Sequence, residues 1–234
     1  MGHRWDGNRW TGGLYSCTGE INDGTRGKIM QRDVQATTIA GALIPSSTRW
    51  VNAVVNAVLV VGYAALTGLS AQLAVYVNPA VPITGQTFAV LLAGATLGSR
   101  VGGASMTFYL AAGVIGIPVF APSGAIAGAS RGYLLGFVAA AAIVGYLCER
   151  GWGRNPLKLV GAMLLGEVAI YAFGLSWLAF YVPDSVLVDR SLLAVLYDWG
   201  LEDFIIGDAI KLAMAAFGVP LAWVGIRKLK GEGA

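Results

Sequence analysis

The sequence predicts an all-α integral membrane protein, a bundle of six transmembrane helices with both termini on the cytoplasmic side. Three observations predict it. Of the 234 residues, 56% are hydrophobic and only 12% charged, whereas an ordinary soluble domain carries about 25% charged residues. Apolar stretches recur from Trp50 onward, several of them running roughly 18 residues or more without a charge, enough to cross a hydrocarbon core about 30 Å thick. The basic residues fall in short clusters between those stretches. Lipid admits only helices or closed barrels. A barrel would show segments of about ten residues alternating in polarity, and Val51 to Leu66 does not alternate.

Residues 1–48 are rich in Gly, Arg, Asp, Asn and Thr, lack sustained apolar periodicity and show no h-region of a signal peptide. They read as a polar, mobile extension ahead of a six-helix domain over 49–230. Spans are expected near 51–72, 84–99, 101–120, 132–149, 157–181 and 204–227. The second has a strongly apolar core, Thr87 to Gly98, of about 12 residues, a length that also suits a re-entrant segment. Charge decides for a crossing. Arg49, Arg100, the group Arg150, Arg154 and Lys158, and the group Arg227, Lys228 and Lys230 fall on one side only if all six spans cross, and cytoplasmic loops hold the excess of Lys and Arg. The opposite links, 73–83, the stretch around Pro122 and 184–203, are uncharged or mostly acidic.

Composition excludes several functions. The net charge of +3 is not gathered on one face or helix, which argues against a nucleic-acid partner. Cys17 and Cys148 are too few for a disulfide framework. The single histidine, His3, lies in the leader, so neither a His-based metal site nor a Ser-His pair is expected in the spans. No G-x-x-x-x-G-K-[ST] phosphate loop is present, so ATP hydrolysis is not expected of this polypeptide.

Ionisable residues inside a span cost a few kcal/mol and by default mark function. Asp208 and Lys211 stand three residues apart in the sixth span and share a face. With entry near Phe204 and a rise of about 1.5 Å per residue, they lie roughly 6 Å and 10 Å below the external surface, the depth of a pocket open to the outside. A carboxylate and an ammonium side by side can accept from an N–H and donate to an oxygen of one ligand. A self-neutralising ion pair that only permits insertion is the competing reading. Glu167, in the fifth span, is read as protonated or hydrogen-bonded to a neighbouring helix. The neutral, proline-bounded stretch Asn78 to Thr87 and the apolar stretch Gly113 to Gly132 are expected to fold over the bundle mouth as a lid that excludes water. Ala53-x-x-x-Ala57 provides small-residue spacing that suits close packing of helices, within the bundle or against a partner.

These residues resemble the BioY family, the biotin-specific substrate-binding (S) components of energy-coupling factor transporters. Val81-Pro82-Ile83-Thr84-Gly85-Gln86-Thr87, followed by Leu91 to Gly98, is similar to the family pattern V-P-[VI]-T-x-Q-T and L-x-G-x-x-L-G. Tyr109-Leu110, Gly113 to Phe120, Arg131 to Phe137 and Gly207-Asp208-Ala209-Ile210-Lys211 add to it, and the likeness covers roughly residues 50–228. One departure stands out: the family reads G-P-T-G-G-Y before the fourth span, and this chain reads Gly128-Ala129-Ser130-Arg131-Gly132-Tyr133.

The resemblance implies high-affinity binding and uptake of biotin across the cell membrane, with Asp208, Lys211, Thr84, Gln86 and Tyr133 on the ligand. It implies Pro82 and Gly85 in the lid, and Ala53 and Ala57 on the face that docks a transmembrane coupling subunit; Arg131, where the chain departs from the family, is read as a cation of the lid near the external mouth. Two cytoplasmic ATPase subunits would supply the energy, and no cofactor or metal is expected in the chain itself. An S component for another vitamin, such as thiamine or riboflavin, is the nearest alternative. An intramembrane enzyme using Asp208 or Glu167 as a base lacks a visible nucleophile partner, and a scaffold leaves the Asp208 and Lys211 pair unexplained.

Overall fold

A computed structural model describes residues 38–43, 48–122 and 128–229. His3, Cys17 and nearly all of the polar leader lie outside the described residues, as do Lys230 and the side chains of Arg227 and Lys228. The chain forms α1 (Ile39–Leu43), α2 (Arg49–Gln72), β1 (Ala74–Val75), β2 (Ile83–Thr84), α3 (Gln86–Val114), α4 (Arg131–Glu149), α5 (Pro156–Leu178), α6 (Asp184–Leu187), α7 (Leu192–Tyr197) and α8 (Asp203–Leu229). A 3₁₀ turn, Trp152–Arg154, joins α4 to α5, and a π-helical turn, Asp198–Glu202, joins α7 to α8. Four helical stretches among the described residues are long and apolar enough to cross a membrane: Arg49–Gln72, Arg131–Glu149, Pro156–Leu178 and Leu192–Ile226.

The stretches expected as spans two and three form the two arms of α3, which folds back on itself at Gly98. That residue has φ 85° and ψ 179°, a region open in practice only to glycine. The reversal is visible in the contacts. Gln86 Nε2 lies 2.5 Å from the Tyr109 hydroxyl, a pair that an unbroken helix would hold about 34 Å apart. The carboxylate of Glu149, at the end of α4, accepts from the Ser99 backbone N–H at 2.8 Å and from its hydroxyl, and so caps the second arm. A Cβ on Gly98 would lie 2.5 Å from Glu149 Oε1. The turn therefore demands glycine twice, for its dihedrals and for its neighbour.

Small residues let the central helices touch. A Cβ on Gly94 would come within 2.5 Å of the Ala141 carbonyl, and one on Gly145 within 2.3 Å of the Gly98 backbone. In lipid, where burial of apolar surface between helices brings little gain, such close backbone contact is a main source of association. Most of the core lies between α3, α4 and α5, around Leu91, Met106, Tyr109, Val144, Met163 and Ile170. By contrast, α2 buries only Ala64, Thr67, Gly68 and Ala71, and its Val51, Val54, Val58, Val61 and Leu69 stay exposed. Ahead of α2, the short α1 buries Ile39 and Ala42.

The links gather at two ends. At one, Glu149 meets Ser99 and the Arg154 guanidinium lies over the Trp223 ring. At the other, β1 and β2 pair antiparallel, Ala74 with Thr84 and Val75 with Ile83. There Gln72 Nε2 donates to the Phe120 carbonyl, and Asn78 Nδ2 donates to the Trp199 carbonyl. The first arm of α3 starts level with Tyr109, so the second arm runs on past it for roughly 8 Å. That step leaves a recess at the second end, and the candidate site occupies it.

Candidate functional site

Lys211 organises the recess. Its ammonium has three donors, and all three are used: on Asp208 Oδ1 at 3.0 Å, on the Thr84 carbonyl at 2.9 Å and on Thr87 Oγ1 at 2.8 Å. Helical spacing in α8 supplies the first contact, since the i,i+3 pair shares a face. The two threonines come from β2 and the first turn of α3. Asp208 is 5% exposed and is equally engaged: Oδ1 also accepts from Thr87 Oγ1 at 3.3 Å, and Oδ2 accepts from the Tyr171 hydroxyl of α5. A buried ion pair with every polar atom satisfied is tolerable, whereas removal of one partner strands the other charge.

Gln86 ties the strand to the bundle floor. Its Oε1 accepts from Thr84 Oγ1 at 2.9 Å and its Nε2 donates to the Tyr109 hydroxyl, which donates in turn to the Val119 carbonyl at 3.2 Å. The opposite wall is aromatic. Tyr133, Tyr171 and Phe204 meet pairwise with ring centroids 6.3 to 6.5 Å apart. Tyr133 is fixed by a hydrogen bond to the Gly200 carbonyl in the π-helical turn, and a Cβ at Gly200 would lie 2.6 Å from that hydroxyl.

Between these walls is a cavity that encloses about 580 Å³ when its open mouth is included. Thr84, Gln86, Tyr133 and Lys211, which the resemblance puts on the ligand, and Pro82, which it puts in the lid, line it together with Thr87, Phe137, Tyr171 and Phe204. Asp208 sits one contact behind the lining. Gly85 precedes α3 against Ser70 and does not line the cavity. Arg131 is exposed at the start of α4, with its neighbour Ser130 facing the cavity instead. Ala53 and Ala57 are exposed on α2, remote in sequence and contact from the recess. Phe120 and Ala121 of the expected second lid segment reach the cavity, while residues 123–127 of that segment lie outside the described residues.

The arrangement offers a polar corner, with Lys211, Asp208, Thr84, Thr87 and Gln86, and, Ser130 apart, apolar and aromatic walls. It suits a small molecule with a hydrogen-bonding head and an apolar body. Sequence reasoning missed Tyr171, Phe204 and Thr87. A tyrosine buried in a span needs a partner for its hydroxyl, and that rule applied to the fifth span would have found Tyr171.

Comparisons with known proteins bear on this site. A probable biotin transporter BioY of Pyrococcus horikoshii is 38% identical over 161 residues, covering 67% of this chain and 89% of that protein. A biotin transporter BioY of Thermotoga maritima is 35% identical over 174 residues, 73% of this chain and 94% of that one. Among solved structures, the S-component for biotin from an ECF-type ABC transporter superposes with a TM-score of 0.60 at 25% identity, over 81% of this chain and 97% of the other. The BioY family profile matches residues 37–228. With a match of that extent, the chain belongs to the BioY family, and it is a multi-pass membrane protein.

Proposed function

We propose that this protein binds biotin in the recess beside Lys211 and takes it up across the cell membrane as the S component of an ECF-type transporter. The observation that carries the reading is the polar corner of Lys211, Asp208, Thr84 and Thr87 in a cavity whose other walls, Ser130 apart, are apolar and aromatic. Biotin has the matching form, a ureido ring that donates N–H and accepts at its carbonyl, on a body of thioether and methylenes. The relatives are transporters, and this chain is a transporter component, not an enzyme.

The membrane part reads as six crossings, with the two arms of α3 as the second and third and both termini cytoplasmic. The run of basic residues at Arg49, Arg100, Arg150 and Arg154 on the closed end supports it. Single cysteines labelled with an impermeant reagent in intact cells test that orientation: position 78 should react and position 154 should not. Ala53 and Ala57, exposed on the membrane-length helix that buries the smallest share of its residues, are read as part of the face for a coupling subunit, and partner ATPases would supply the energy.

Calorimetric titration of the purified protein with biotin, thiamine and riboflavin tests the ligand. Saturable binding of biotin alone is expected. Binding of another vitamin in its place would make this the S component for that ligand and refute ours.

A further inference from the structure

The end of the bundle that carries the cavity mouth is acidic. Asp184, Asp189, Asp198, Glu202 and Asp203 all fall between the end of α5 and the start of α8, and the links 73–83 and 115–130 carry no charge. Arg190 is paired with Asp198, and Lys211, inside the cavity, with Asp208. Arg131, in the first turn of α4, is the one cation at this end without a carboxylate partner among the described residues.

The turn that precedes α4 sets its place. Gly128 has φ 89°, and a Cβ there would lie 3.4 Å from Arg131 Nε and 3.3 Å from the Tyr181 ring. The side chain thus leans back over this turn, toward the N-terminus of its own helix. Its neighbour Ser130 faces the cavity, and Ser130, Tyr133, Leu134 and Phe137 form a stripe of α4 that runs from the mouth inward. Helix α5 runs antiparallel beside that stripe: a Cβ on Gly132 would press on Trp177, and one on Gly136 on Ile170. Tyr171, whose hydroxyl donates to Asp208, is accordingly level with Leu135 and Gly136. Arg131 stands about 7 Å nearer the mouth than that level.

A ligand with a neutral hydrogen-bonding head and an anionic tail fits these two levels. The corner already balances its own charge, since the Lys211 ammonium faces the Asp208 carboxylate at 3.0 Å, so a second carboxylate placed there would be buried without a counter-charge. At the mouth the same carboxylate would meet only the acidic link, Arg131 apart. We infer that Arg131 selects the carboxylate of the ligand's tail. The head occupies the corner, the methylene tail follows the stripe of α4, and a rotation of the flexible arginine stem brings the guanidinium from the Gly128 turn to the carboxylate beside Ser130. Its planar fork suits two parallel hydrogen bonds to such a group. This role rests on the biotin reading and concerns the tail, which the polar corner does not address. The family pattern has glycine at this position, so the cation is a feature of this chain and not of the pattern.

Titration calorimetry of the full chain in lipid nanodiscs, with biotin and with its neutral primary amide, tests the role. The readout is the ratio of the two affinities, which a general loss of folding would not shift. The wild type should prefer biotin by roughly tenfold or more, as a hydrogen-bonded charge pair provides. Arg131→Gln should bring the two compounds close to parity, and Arg131→Lys, which keeps the charge but not the fork, should hold an intermediate preference. An equal preference in the wild type and Arg131→Gln overturns the role and leaves the guanidinium to a lipid phosphate. A wild type that binds the amide as tightly as biotin overturns it as well. If neither compound binds, the biotin reading itself fails and this role falls with it.

Discussion

The ammonium of Lys211 donates to the backbone carbonyl of Thr84 at 2.9 Å, across 127 residues of sequence. One contact thus joins the charged pair of α8 to the strand that covers the recess. The strand beside the mouth and the charged pair are one hydrogen-bonded unit, and perturbing either should be felt by the other.

Replacement of one member of the pair leaves the other buried without its partner, at a typical cost of about 3–5 kcal/mol. Asp208→Asn and Lys211→Met are each expected to weaken biotin by roughly two to three orders of magnitude, at about tenfold per 1.4 kcal/mol. Were the pair only a neutral device for inserting α8, the double variant would regain near-native affinity. We expect it to fold as a monodisperse protein and still bind weakly, as titration calorimetry will read directly.

Tyr171→Phe removes one hydroxyl and keeps the ring. Asp208 Oδ2 then loses its donor, and a hydrogen bond to a charged group is worth about 1.5–3 kcal/mol. Affinity should drop by up to about ten- to a hundredfold, and thermal stability in detergent should fall as well, since Asp208 loses the same donor in the ligand-free fold, while the aromatic contacts with Tyr133 and Phe204 persist. Unchanged affinity would remove Tyr171 from the site.

Much of this was legible in the sequence. Hydropathy and basic clusters located the apolar helices, and the i,i+3 spacing of Asp208 and Lys211 put them on one face. The proline-bounded stretch before α3 reads as a loop folded over the mouth; its Ile83–Thr84 pairs as β2, and Pro82 and Thr84 line the cavity. Other features were beyond local reading. Arg100, between the spans expected near 84–99 and 101–120, marks where the chain turns back, but the cap on that turn comes from Glu149, 50 positions away in the chain, which accepts from Ser99. Tyr171 reaches Asp208 across 37 residues, a partnership set by how α5 packs on α8. The region between α5 and α8, read as an acidic link, holds two short helices and the π-helical turn that receives the Tyr133 hydroxyl. Ladder geometry of that kind has no compositional signature.

Ala57 points away from the bundle on α2, so a larger side chain there meets no protein in the isolated chain. Ala57→Trp is expected to bind biotin with wild-type affinity while failing to co-purify with a coupling subunit or to support uptake. A variant that still assembled and transported normally would show that this face is turned to lipid alone.

Asn78 is the latch of the covering strand. Its Nδ2 donates to the Trp199 carbonyl at 3.1 Å and to Asp203 Oδ2 at 2.8 Å, while its Oδ1 accepts from the backbone N–H groups of Ala80 and Val81. The first pair fastens the strand to the start of α8; the second shapes the turn that delivers Pro82 and Thr84 to the recess. Asn78→Ala deletes the two fastening bonds, each worth about 0.5–1.5 kcal/mol net, along with the two that shape the turn. The fastening bonds hold the segment beside the recess, so their loss should act on escape more than on capture. We expect the dissociation rate of biotin to rise by roughly five- to a hundredfold with an association rate within a few-fold of the wild type's. Asn78→Asp, which keeps the acceptor for Ala80 and Val81 but sets a second carboxylate against Asp203, should accelerate release at least as much as the alanine. Stopped-flow displacement of a fluorescent biotin derivative reads both rates, and an equal slowing of association in both variants with unchanged dissociation would place the barrier outside this strand.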